Sequence, residues 1–205
     1  MGWSMPDGRE MFSVKEMIAN FDIMRVSLGG PVFDTQKLDW LNGRYLREVI
    51  SEQQFLQRFS EWAFQTEKLQ QIVPLIKPRV ERFCDVAPLA GFFFSGMPVI
   101  SAASFSHNKI TLEECTRILQ FVAWHIENIK VWNRDSIEQS LTQLAEILGF
   151  KIRDFLFPVF IAIAGTAVST SVIDSMAVLG LDLSRARVRH GLATLGGISN
   201  KQVKN

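Results

Sequence analysis

Apolar residues recur at spacings of three and four along most of the chain, as amphipathic helices require. Ile118, Phe121, Val122, His125, Ile126 and Ile129 form one stripe, and Leu141, Leu144, Ala145 and Leu148 another. Leu38, Leu41 and Tyr45 make a third. Polar start signals come before such stretches. Ser13-x-x-Glu16, Ser51-x-x-Gln54, Thr111-x-x-Glu114 and Asp135-x-x-Glu138 have the capping-box spacing, in which the first side chain takes a free backbone N–H and the second reaches back. Gly149, Gly180 and Gly196 follow apolar-periodic stretches and predict helix stops. Period-two alternation is confined to the neighbourhoods of Phe12 and Val26, where short strands are expected. The predicted class is all-α, with a little β structure near the N-terminus. Breaks are expected near Ile50, where a new cap begins, and in the Pro-, Gly- and Ser-rich stretch 85–108.

Two segments are apolar enough to raise the question of a membrane. Phe155–Leu181 is interrupted by Pro158, Gly165, Ser169, Thr170, Ser171 and Asp174. Its longest clean run is shorter than the roughly 18 residues that a span needs, so buried core helices are the better reading. Pro88–Phe105 holds Gly91, Gly96 and Pro98 and reads as a packed, irregular connection.

Composition narrows the function classes. The chain has 205 residues, 47% hydrophobic and 21% charged, with a net charge of +1. With so small an excess of positive charge, any nucleic-acid contact must come from local patches. Cys84 and Cys115 stand far apart, which argues against zinc and against a disulfide framework, and fits a reduced cytoplasmic setting. The first residues lack a basic stretch before an apolar core, so no signal peptide is read. His107, His125 and His190 have no Ser or Cys in a nucleophile elbow, and no Gly-rich phosphate loop precedes a Lys-Ser/Thr pair. No catalytic residue and no metal ligand is assigned.

Three places carry residues that packing alone does not require. Asp34 is a candidate helix cap, and Lys37 and Trp40 then share one helical face. Gly43 inside that pattern is placed as a close-packing position. Lys77-Pro78-Arg79-Val80-Glu81-Arg82 is a short basic segment after an apolar helix. Pro78 is expected to hold Lys77 extended and to leave Arg79 at a helix start, with Arg79 and Arg82 on one face. A guanidinium can meet a base edge with its donor fork and can stack on a ring, which suits unpaired RNA bases. Finally, Arg185, Arg187 and Arg189 follow Ser184, read as a cap; either a phosphate patch or a solvated helix face fits that spacing.

The order of these residues is also a resemblance. Lys37-Leu38-Asp39-Trp40-Leu41-Asn42-Gly43-Arg44-Tyr45 resembles the Lys-Leu-x-Trp-Leu-Asn-x-x-Tyr motif of glutamyl-tRNA synthetases. Gly2-Trp3-Ser4, Asp7-Gly8-Arg9-Glu10-Met11-Phe12-Ser13, Glu16-Met17-Ile18 and Phe21 are similar to the segment that follows that family's KMSKS-type loop. Leu179-Gly180, Leu183-Ser184-Arg185 and Arg189 resemble its closing helices. The resemblance is strongest over residues 2–48. The family's ATP-binding HIGH and KMSKS-type signatures are missing from this chain.

The resemblance implies the C-terminal, anticodon-binding part of a bacterial class I synthetase. Residues 1–50 would end a stem-contact module with a short α/β-like remnant. Residues 51–91 and 92–205 would be two helical anticodon-binding subdomains. The implied partner is the anticodon arm of tRNA-Glu, with neither DNA nor membrane, in a cytoplasmic monomer. ATP and magnesium belong to the full-length enzyme, which joins glutamate to tRNA-Glu, and no cofactor is implied for this part. Lys37 and Trp40 match positions that contact the anticodon loop, and Arg79 matches the arginine that reads the third anticodon base. Arg82 and Arg185 join the implied tRNA-binding set. Near the end the sequence departs from the family: Phe160 stands for an expected Arg in a Pro-Leu-Arg-x-Ala-x-Thr-Gly pattern, and Ala164 for Thr. Ser169 would keep a hydroxyl for the first anticodon base, with Val172 and Ile173 as an apolar wall. The reading from another class is a helical protein-interaction module that does not bind RNA, which Phe160 and the near-neutral charge allow.

Overall fold

A computed structural model describes residues 2–27, 29–30, 33–107, 109–167 and 170–197. Among them are ten α-helices, linked in places by 3-10 turns, and no strand. They fall into two compact units, Met1–Trp62 and Ala63–Asn205.

The first unit holds α1 (Val14–Asn20), α2 (Thr35–Arg44) and nearly all of α3 (Glu52–Ala63). The capping box at Ser13 forms as expected, with the Glu16 N–H donating to Ser13 Oγ at 3.2 Å and the Ser13 N–H to Glu16 Oε2 at 2.8 Å. The Ser51–Gln54 pair repeats that exchange at the head of α3, at 3.0 and 3.2 Å. The strands expected near Phe12 and Val26 do not form. A strand requires a repeating ladder of backbone bonds, and the bond from the Ser27 N–H to Gly2 O, 2.6 Å, is not continued into one. The described N-terminal unit is therefore helical rather than α/β-like. The atoms nearest a Cβ built on Gly43 are those of the Arg47 guanidinium, Nη1 at 2.8 Å, the far end of a flexible side chain just past α2.

In the second unit are α4 (Thr66–Ile76), α5 (Val86–Ala90), α6 (Leu112–His125), α7 (Arg134–Leu148), α8 (Ile152–Ala164), α9 (Val172–Leu179) and α10 (Leu181–Thr194). Their apolar faces bury one core, which includes Ile72, Phe105, Ile118, Leu141, Phe155, Met176 and Leu192. The core does not part at residue 91, since Ile76 and Ala90 belong to it with the later helices. α10 packs against both α6 and α8, and a Cβ on Gly191 would stand 2.9 Å from the Ala162 Cβ. Glycine sets how closely α10 approaches α8. No helix among the described residues is long and apolar enough to cross a membrane.

Two expected caps move. α7 begins at Arg134 with Asn133 as its cap, whose side chain accepts the Ser136 N–H at 2.9 Å; Asp135 lies inside the first turn. The earlier start lets Arg134 pair with Glu138 at 2.7 Å and with Asp174 at 3.0 Å. Ser184 is no cap either: Gly180 alone separates α9 from α10, and Ser184 is buried within α10, donating to Met176 O at 3.3 Å.

Arg187, fully buried in α10, is held by backbone carbonyls rather than by a carboxylate. It donates to Gly96 O (3.1 Å), Ile163 O (2.6 Å), Phe92 O (2.7 Å) and Ser95 O (2.7 Å). Phe92 lies in the 3-10 turn Gly91–Phe93, Ser95 and Gly96 follow that turn, and Ile163 lies in the last turn of α8, where carbonyls lack helical partners. Lys68 joins the nest by donating to Phe93 O at 2.7 Å. Burial lowers its pKa, and the Arg187 charge lowers it further. Two cations thus hold the 92–96 connection to the helices.

Candidate functional site

Lys37 and Trp40 stand where the sequence puts them, on one face of α2. Asp34 caps that helix by accepting the Lys37 N–H at 3.0 Å. The Lys37 ammonium pairs with Glu10, whose hydrogen bond and charge raise its pKa. Trp40 is 47% exposed, and the Arg44 guanidinium lies 5.2 Å from its ring centroid. Arg44 is steered there in part by Glu48, 2.6 Å away one turn on. Leu38, Leu41 and Tyr45 line a 550 Å³ groove with Met11, Phe12 and Val49.

The basic segment 77–82 folds differently from its sequence expectation. Lys77 is helical (φ −47°, ψ −42°), not extended, because α4 runs through it into the 3-10 turn Lys77–Arg79. The Lys77 N–H still donates to Val73 O, and the gain outweighs the crowding from Pro78. Arg79 ends that turn rather than opening a helix, and it is exposed. Arg82 is extended (φ −136°, ψ 153°), so Arg79 and Arg82 are near neighbours in the chain but share no helical face. Arg82 makes a 3.5 Å ion pair with Asp85. Asp85 also accepts the N–H of Arg82 at 2.8 Å and of Glu81 at 3.2 Å. The Arg82 backbone bond is the main reason its carboxyl sits below the usual carboxylate range.

One residue here does not stand out in the sequence. Phe83 is 96% exposed and stands on a 450 Å³ groove lined by Val73, Ile76, Val80 and Val86, with Lys77 and Arg82 on its rim. The available signal is an aromatic directly after Arg82 and four residues past Arg79; by residue type alone a phenylalanine reads as core.

The remaining candidates are scattered. Val172 and Ile173, at the start of α9, are 2% and 8% exposed and face the core. Ser169 lies outside the described residues. Ser171 caps α9, accepting the Asp174 N–H at 3.4 Å. Phe160 is half-buried against the core. Arg185 pairs with Asp182 at 3.4 Å and Arg189 with Glu127 at 2.6 Å, while Arg187 points inward; the three arginines form no common patch. No group of three or more His, Cys, Asp or Glu suited to a metal occurs among the described residues. Burial pushes the Cys115 thiol up to about 11, which leaves it unreactive near neutral pH.

A core of packed helices carrying exposed cations and aromatics on short turns defines a helical binding domain. The chain belongs to the anticodon binding domain family, whose sequence model matches residues 54–192. It is 50% identical over 204 residues to a glutamate–tRNA ligase of Marinobacter nauticus, and 51% identical over 204 residues to that of Alcanivorax borkumensis. Each match covers all of this chain and 41% of the relative, so the chain spans about two fifths of their length. Among solved structures, a glutamate tRNA ligase from Elizabethkingia meningosepticum in complex with its amino acid is 25% identical with a TM-score of 0.55. That match covers 95% of this chain and 39% of the other.

Proposed function

We propose that this chain is the C-terminal, anticodon-recognising part of a glutamate–tRNA ligase and that it binds the anticodon arm of tRNA-Glu. The observation that carries this is the family match over residues 54–192, within an identity of about one half, along the whole of this chain, to two fifths of a glutamate–tRNA ligase. In this reading Lys37 and Trp40 touch the anticodon loop and Arg79 reads the third anticodon base, with Arg82 and Arg185 on phosphates. Val172 and Ile173, being buried, hold the start of α9 in this reading rather than meeting a base directly. The division at residues 50 and 91 is then one of function, with both later parts sharing a core. Glutamate activation, ATP and magnesium belong to the whole ligase, a cytoplasmic monomer in this reading.

The test is the ratio of affinities for anticodon stem-loops that differ only at the third anticodon base, at one salt concentration. A well-placed base contact is worth about 1–3 kcal/mol of discrimination, or roughly tenfold to a hundredfold. Arg79→Gln is expected to narrow that ratio toward one. A uniform loss across both RNAs would make Arg79 a phosphate contact instead.

A further inference from the structure

We propose that Phe83 is a stacking platform: an unpaired base of the bound RNA lies on its ring, beside the base or phosphates held by Arg79 and Arg82. The inference rests on the RNA-binding reading above and adds a contact that neither the resemblance nor the family match assigns.

Three observations converge on it. First, Phe83 is almost wholly in water, at 96% exposure, although an apolar groove lies next to it. Second, the ring is not there by slackness. It sits in a 3-10 turn, Phe83–Asp85, whose start is clamped by Asp85 through two backbone N–H groups. The Asp85 N–H also donates to Arg82 O at 2.9 Å. The chain therefore holds a large apolar side chain outward with local bonds. Third, the groove of Val73, Ile76, Val80 and Val86 is also lined by Lys77, Arg82 and Glu81, two cations to one acid. Of the two acids in that stretch, Asp85 is engaged by the turn.

Aromatic ring, apolar floor and cationic rim match the faces of a nucleobase and the charge of its phosphate. An apolar protein helix would use the floor but would leave the cations of the rim unused. The charge pattern thus favours an RNA strand over a second polypeptide.

The experiment measures binding of the 205-residue chain to an RNA hairpin carrying the tRNA-Glu anticodon loop. It is repeated with hairpins in which each loop base in turn is replaced by an abasic site. Phe83→Leu is expected to weaken the intact hairpin about fivefold to a hundredfold, the range for losing one stacked base. One abasic hairpin should be bound equally by wild type and Phe83→Leu, because its stacked base is already gone. Phe83→Trp should restore or exceed wild-type affinity. Since the side chain is exposed, the melting temperature should be the same in all three. If wild type binds the hairpins but Phe83→Leu binds as tightly, Phe83 is no platform and the anticodon reading survives. Phe83 is equally no platform if Phe83→Leu weakens every hairpin by the same factor, abasic ones included. If wild type binds no hairpin, the anticodon reading fails and this inference with it.

Discussion

Replacing Arg187 by Met keeps most of the aliphatic volume and removes the guanidinium from a fully buried site. Four donor bonds of 2.6–3.1 Å disappear at once. Each bond from a charged donor is worth about 1.5–3 kcal/mol net, so the four together give a gross loss of roughly 6–12 kcal/mol. Against that stands the cost of keeping a cation out of water, several kcal/mol, which Met does not incur. Water entry and small carbonyl shifts recover part of the rest. The expected net loss is about 3–5 kcal/mol, because four carbonyls lose a donor and each left unsatisfied costs about 1–3 kcal/mol before that recovery. That is a large share of the roughly 5–15 kcal/mol that holds a domain together. Urea unfolding of the second unit can be followed through Trp132, whose indole N–H donates to Met176 O at 3.0 Å. With a slope of about 2 kcal/mol per molar, the midpoint should fall by roughly 1.5–2.5 M. Arg187→Lys should lie between, since an ammonium offers three donors from one point. Arg185→Met is the control, because Arg185 is partly exposed and pairs with Asp182 on the surface of its own helix; a change within about 0.5 kcal/mol is expected there. A midpoint for Arg187→Met within about 0.5 M of wild type would refute the idea that the guanidinium holds the connection.

Gly191→Ala forces a methyl group to within 2.9 Å of the Ala162 Cβ and 3.3 Å of Leu119 Cδ1, so a destabilisation of about 1–3 kcal/mol is expected in the same urea assay. Asp85 titrates below the ordinary Asp value because it accepts backbone N–H bonds, so the folded state favours its charged form. Its contribution to the turn is complete above the unfolded pKa of about 3.9 and is lost as pH falls through the lower folded value. An NMR pH titration of the Arg82 amide should show a midpoint below about 3.9 that Asp85→Asn abolishes; a midpoint at or above it would contradict the clamp. Trp40→Ala should weaken anticodon stem-loop binding by about 1–3 kcal/mol if a base stacks on the ring, with melting measured alongside, and unchanged affinity in a folded variant would make Trp40 a packing residue only.

What is legible in the sequence is local. Ser13, Asp34, Ser51 and Thr111 cap the helices their spacing predicts, because a capping bond joins residues three apart and needs nothing distant. Gly149 closes α7 in the left-handed conformation for the same reason. Where two local signals compete, spacing does not decide between them: Asn133 and Asp135 are both good caps, and Arg134's pair with Asp174, forty residues on, favours the earlier start. Spacing groups Arg187 with Arg185 and Arg189 on a basic segment. Its partners sit at residues 92–96 and 163, so nothing in its own neighbourhood marks it as buried. At the candidate site the types of residue are legible but their shape is not. Periodicity gives Arg79 and Arg82 a common helical face; the structure gives a 3-10 turn, an extended residue and an outward Phe83.

The distribution of cations leads to a prediction about salt. A net charge of +1 conceals how the positive charges are used. Arg187 and Lys68 point into the protein and satisfy carbonyls. Arg44, Arg134, Arg185 and Arg189 are engaged by carboxylates. In the proposed reading the cations facing RNA are Lys37, Lys77, Arg79, Arg82 and Arg185, of which Lys37 is shared with Glu10, Arg82 with Asp85 and Arg185 with Asp182. Each phosphate neutralised on a single strand contributes about −0.7 to the slope of log affinity against log salt. Three to four contacts give a slope of about −2 to −3. Raising salt from about 50 to about 200 mM should then weaken stem-loop binding about twentyfold to fiftyfold, far less than for a protein with six to ten phosphate contacts. Lys77→Ala should make the slope shallower by about 0.7, while Phe83→Leu should lower affinity and leave the slope alone. A flat salt response would move the chain to the protein-interaction reading, because scaffold contacts release no counterions. A slope near about −6 would mean that cations assigned here to internal pairs let go of their carboxylates and turn to the RNA.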